Sequence, residues 1–137
     1  MIAHLTALKA RIDALGIKAH IGQVPDGTPM PYASLSSPGY DTDDVALGGR
    51  DASISADVRV LVTHTTETNV YAALDMIRDD LWPDETASRL SVAGRFATVD
   101  FVRSEFVATD RDVTYGATNR HPGYGVDTYH VDSQPLG

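Results

Sequence analysis

From Ile54 to Val62 the chain places an apolar residue at every second position: Ile54, Ala56, Val58, Val60 and Val62. Ser53, Ser55, Asp57, Arg59 and Thr63 alternate with them, and Leu61 is the exception. Successive side chains of a β-strand point to opposite faces, so this pattern predicts a long strand with one dry and one wet face. A strand of that kind belongs to a sheet packed on one side only.

Helical stripes supply the packing layer. Ile2, Leu5, Leu8, Ile12 and Leu15 recur at steps of three and four, and Gly16 follows where a helix ends. Val70, Ala73, Leu74, Ile77 and Leu81 form a second stripe, opened by Thr66 or Thr68 as N-cap and stopped by Pro83.

The remaining segments read as strands. Ile17, Ala19 and Ile21 alternate with polar residues, "PDGTPMP" interrupts, and "YASLS" (32–36) pairs back onto the first strand. Leu90 and Val92 begin a strand that ends near Gly94-Arg95. Phe96 to Ala108 is strand-like with an imperfect period, which predicts a bulge or burial on both faces. Tyr124 to Asp132 is the last strand, and Gly125 marks a bulge or a close backbone approach. Two stretches, 37–50 and 110–122, lack either period and read as long loops, and 133–137 is a short polar tail. The expectation is one α+β domain over 1–137. A mixed or mainly antiparallel sheet of about five to six strands carries two main helices.

Composition narrows function more than fold. The chain has 137 residues, no cysteine and a net charge of -8. Disulfides, thiolate nucleophiles and cysteine zinc sites are therefore out. An acidic surface repels nucleic-acid phosphate, which argues against sequence-reading DNA binding. Met1 to Leu15 reads as an amphipathic helix rather than a signal peptide, and no apolar run is long enough to span a membrane.

The five histidines match no HExxH or His-x-His ligand spacing. The closing "RHPGYGVDTYHVDS" holds His121, His130, Asp127 and Asp132, residue types that bind metals or move protons. A small metal-binding or hydrolytic domain using His121 and His130 is the reading from a different class. The plainer reading is a strand, since His121 before Pro122 favours extended backbone. "DTDD" (41–44) lacks the calcium-loop spacing and reads as a solvated or partner-facing loop. "ALGGR" lacks the Gly-Lys-Ser/Thr of a phosphate-binding loop, and there is no Gly-x-Ser-x-Gly. The expectation is a protein that is not an enzyme, with no catalytic residue, cofactor or metal.

The order of these segments resembles the tail terminator (tail completion) proteins of long-tailed, siphovirus-like bacteriophages, particularly those of actinobacterial hosts. The stretches that carry the resemblance are "HLTALKARIDALG", "VPDGTPMPYASL", "LGGRDASISADVRVLVTHTTETNVYAALDMIRDDL", "SRLSVAGR", "DRDV" and "RHPGYGVDTYHVDS". It spans nearly the whole chain and rests on order and spacing. It implies an α+β domain that forms a ring, usually of six subunits, at the head-proximal end of the virion tail, assembled in the host cytoplasm. Such a ring stops tail-tube polymerisation and offers a docking face to the head connector, with viral DNA passing through the lumen without sequence-specific contacts. The implied partners are the chain itself, the tail tube protein and the connector or stopper protein. A head–tail joining protein or another minor tail subunit is the alternative within that class. Expected interface residues are Asp41, Asp43, Asp44, Leu47 and Arg50 in the first loop, with Arg59, Arg111 and Tyr129. Both long loops are expected to reach neighbours.

Overall fold

The alternating segment is β3, Ile54–His64, and it lies near the middle of a six-stranded sheet. The computed structural model describes residues 1–38, 53–116 and 119–136. In chain order the elements are α1 (Ile2–Asp13), β1 (Lys18–Ile21), β2 (Tyr32–Ser36), β3, α2 (Glu67–Leu81), β4 (Ser88–Leu90), β5 (Arg95–Thr109) and β6 (Gly123–Pro135). A short 3₁₀ turn at Pro83–Glu85 follows α2.

The strand order is β1-β2-β3-β6-β5-β4. The β1–β2 pair is parallel and every other pair is antiparallel, so the sheet is mixed and the fold is α+β. The second strand does pair with the first, but in the same direction. The segment from Gly22 to Pro31 carries the chain back to the end at which β1 began. The strand expected from Leu90 lies two residues earlier, at Ser88–Leu90, and Gly94 then turns the chain with φ +74°.

Both helices pack on one face. Val58, Val60 and Val62 of β3 lie there with Leu35, Val99, Tyr129 and Val131, and all are buried. Each member of the predicted α2 stripe is buried, and Thr66 caps the helix by accepting a hydrogen bond from the Asn69 amide at 3.1 Å. In α1, Leu5, Leu8 and Ile12 are buried but Ile2 is 66% exposed, and His4 takes the inward position instead. The first turn of α1 therefore turns a titratable side chain, not Ile2, toward the core.

Two glycines in β6 are dictated by packing. A Cβ on Gly123 would stand 2.7 Å from the Glu67 amide nitrogen, so the start of α2 occupies that space. A Cβ on Gly125 would meet Val107 Cγ2 at 2.8 Å and Val70 Cγ1 at 2.9 Å. The close approach expected at Gly125 is what the fold shows. The imperfect period of β5 has its cause too, since the β5–β6 register slips once between Phe101 and Arg103 and again between Ser104 and Phe106.

Candidate functional site: the helix-free sheet face

Opposite the helices the sheet presents the even face of β6, Tyr124 to Asp132, flanked by Ser55 to Thr63 of β3 and by the outward residues of β5. Three side-chain groups organise it. At one end, His130 Nδ1 lies 2.7 Å from Asp57 Oδ1, and Nε2 lies 2.9 Å from Ser55 Oγ and 3.3 Å from Asp132 Oδ1. At the centre, Arg59 pairs with Glu105 at 2.8 Å, and Arg103 approaches the other oxygen of Glu105 at 3.4 Å. At the far end the Phe106 and Tyr124 rings meet edge to face at 5.5 Å. Val126 and Thr128, between these groups, are buried although no helix among the described residues covers them.

Among the described residues the edge of this face is open along β5. β4 pairs only with Ala97, Thr98 and Val99, whereas β5 continues to Thr109. Val102 and Phe106 on that open stretch are 42% and 44% exposed. At the other end of the sheet the β1 edge is blunted, because Asp13 Oδ1 of α1 accepts the Ala19 amide hydrogen at 2.8 Å.

Ser55, His130 and Asp57 stand in the order of a nucleophilic relay, yet the surroundings oppose that chemistry. Strand side chains rise perpendicular to the sheet while backbone N–H groups lie in its plane, so the strand aims no pair of amides at an oxyanion above Ser55. His130 also faces two carboxylates, and the hydrogen bond with Asp57 raises its pKa above the ordinary histidine value. A groove of about 380 Å³ beside Ser55, Phe96, Thr98 and Asp132 is the nearest hollow.

His121 and His130 are not brought together. They are nine positions apart, with most of the span in extended β6, and His121 Nδ1 bonds instead to the Val113 carbonyl at 2.7 Å. Among the described residues no three His, Asp or Glu side chains converge as metal ligands. No helix of the described residues is long and apolar enough to cross a membrane.

Of the expected interface residues, Asp41, Asp43, Asp44, Leu47 and Arg50 lie outside the described residues. Arg59 is on the helix-free face and Arg111 is exposed in the turn after β5. Tyr129 corrects its expectation: it is 0% exposed within its own chain. Its ring packs edge to face on Phe101 at 5.6 Å, and its partner is the core rather than a neighbouring subunit. Burial, reinforced by the Asp127 charge, pushes its phenol well above the usual tyrosine range. The 110–122 segment also holds onto its own chain. The Asp110 amide donates to the Pro122 carbonyl at 2.8 Å, and the Tyr115 hydroxyl donates to the Thr65 carbonyl at 2.9 Å.

Two polar clusters on the helix side had no place in the sequence reading. Asp127, 0% exposed, accepts from Arg78 of α2 at 2.7 Å and from Ser104 of β5 at 2.5 Å, and the Arg78 guanidinium lies 4.5 Å from the centre of the Phe101 ring. His4 Nε2 contacts Ser133 Oγ at 2.8 Å, and Arg95 donates to that oxygen at 2.6 Å. Burial, with the N-terminal amine and Arg95 nearby, lowers His4 to about 4, so its ring is neutral. Strict alternation in β6 would have flagged Asp127, since it shares a face with Tyr129 and Val131.

No family model matches the chain, and no curated protein does. Among solved structures it is similar to a chain from the virion of a native gene transfer agent particle. The two share 16% identity with a TM-score of 0.55, over 96% of this chain and 92% of that one. At that identity the likeness is one of fold.

Proposed function

We propose that this chain is a structural protein of a phage-like virion, and within that class a tail terminator. It forms a ring at the head-proximal end of the tail tube, halts tube growth, and presents its far side to the head connector while DNA passes through the lumen. The observation that carries the reading is the end-to-end likeness of fold to a chain of a gene transfer agent virion, 96% of this chain against 92% of that one. The sequence resemblance to tail terminators supports the finer role.

The surface fits a protein that works through contacts. One sheet face lacks a helical cover, and the β5 edge beyond Val99 is open among the described residues. Head-to-tail contacts between unlike surfaces either close into rings or grow without end, and a terminator must match a tube end on one side only. The net charge of -8 suits a channel through which DNA slides without binding. Catalysis is no part of this role. A test is to polymerise purified tail tube protein with and without this chain and view the products by electron microscopy. Rings at one tube end and bounded tube lengths are expected; tubes of unchanged length with the added protein remaining unbound would reject the reading.

A further inference from the structure

Among the described residues, His130 is the one side chain of the helix-free face that touches carboxylates on two strands. Asp132 approaches from β6 itself, with Nε2 to Oδ1 at 3.3 Å. From β3 come Asp57, 2.7 Å from Nδ1, and the Ser55 hydroxyl, 2.9 Å from Nε2. From β5 the cross-strand neighbour is Asp100, which has no ion pair among the described residues. The nearest cation on β3, Arg59, is already held by Glu105 at 2.8 Å, as is Arg103 on β5 at 3.4 Å.

The two ring contacts place opposite demands on one imidazole. A neutral ring carries a single N–H, so it donates toward Asp57 or toward Asp132 and turns a lone pair on the other. Only the imidazolium donates to Asp57 and keeps an attractive charge contact with Asp132 at the same time. We propose that His130 is a proton-operated clasp on the helix-free face, which holds Asp57 of β3 and Asp132 of β6 on one ring when charged and releases one of the two carboxylates when it is neutral. Release leaves Asp57, Asp100 and Asp132 on three adjacent strands with no compensating cation among the described residues, so that end of the face loosens and becomes one unit more negative. The raised pKa of the ring agrees with the geometry; the Asp57 hydrogen bond is its largest cause, and burial opposes it. The device does not depend on the assembly reading and acts in a single chain.

The test is an NMR titration of the His130 ring in the full chain, run beside hydrogen exchange of the Ser55–Asp57 and His130–Asp132 amides and corrected for intrinsic base catalysis. The ring is expected to titrate above the ordinary histidine value, and protection of those amides to drop across the same midpoint. His130→Gln should abolish the drop, and His130→Lys, which keeps its charge, should shift it to far higher pH. Should His130→Gln fail to fold, Asp57→Asn and Asp132→Asn should each lower the ring's midpoint. A ring that titrates at or below the ordinary value overturns the proposal. So does protection that stays flat through the midpoint, or a drop that persists in His130→Gln.

Discussion

Arg78 of α2 and Asp127 of β6 meet at 2.7 Å, and the carboxylate of that pair has no exposure to solvent at all. Ser104 donates a second hydrogen bond to Asp127 from β5, so one buried charge joins a helix to two strands. Removing a single partner leaves a charge stranded in the core, which costs far more than the pair itself contributes. Arg78→Ala is expected to destabilise the fold by about 3 kcal/mol, the low end of the usual range because Arg78 is partly exposed. Urea denaturation of Arg78→Ala, Asp127→Ala and the double variant checks this. The double variant should lose much less than the sum of the single losses.

Gly125 should tolerate no side chain. Its added Cβ would press on Val107, Val70 and the Phe106 carbonyl at 2.8–3.0 Å. Overpacking of this kind costs roughly 1–3 kcal/mol, so Gly125→Ala should lower the denaturation midpoint and Gly125→Val should lower it further. Both are read by the same urea titration.

His4 and His130 should give stability opposite pH slopes. His4 has its folded pKa lowered to about 4, so its contribution is complete above the ordinary value of about 6.5 and is lost as pH falls from there toward 4. His130 is raised, so its contribution is complete below about 6.5 and is lost as pH rises through the folded midpoint. The contributions of these two groups together are therefore largest near the ordinary histidine value. His4→Asn should flatten the acid limb and His130→Gln the limb on the other side. A slope unchanged in either variant would contradict the assignment.

The open edge of β5 gives the assembly reading a local target. Phe106 is 44% exposed, so Phe106→Glu should leave the chain folded, with a modest loss of stability from uncovering Val126. Aromatic anchors carry a disproportionate share of interface energy. The expected result is a monomer with unchanged circular dichroism and a loss of tenfold or more in binding to tail tubes, on the order of 1.4 kcal/mol. Unimpaired binding would remove this edge from the interface.

Deleting Asp41–Asp44 tests the first long loop in the same assay, and weakened ring or tube assembly is the expected outcome. Tyr129→Asp would not serve as an interface test. With Tyr129 wholly inside the core, the substitution should unfold the chain, which thermal melting would show before any assembly measurement.

Much of the fold was legible because both local periods are strong. The α2 stripe and the β3 alternation each put their apolar residues on one side, and every one of the α2 positions is buried. The imperfect period of β5 was legible as a bulge, since an extra residue shifts the alternation it interrupts. The parallel direction of β2 was not, because a local pattern fixes which face a strand buries and says nothing of which way its neighbour runs. Asp127 was passed over for a related reason. A polar residue in a half-buried strand reads as solvated until its partner is known, and Arg78 is 49 residues away in sequence. The last strand carries bulky groups on both sides, Tyr124 and Val126 on one and Tyr129 and Val131 on the other, which calls for two covers. One is the α2 layer, and on the other side the strand is filled largely by its own cross-strand neighbours, Leu61 and Phe106 beside Val126.

The two register slips in β5 bear on who could ever join that edge. An unbroken flat strand offers hydrogen bonds to any passing extended chain, and cross-β growth depends on that indifference. Here the donors and acceptors beyond Val99 are displaced at Phe101/Arg103 and again at Ser104/Phe106. A visitor must carry matching kinks to follow them, so the irregular edge works as a password: it stays available to one companion while turning away the generic strand.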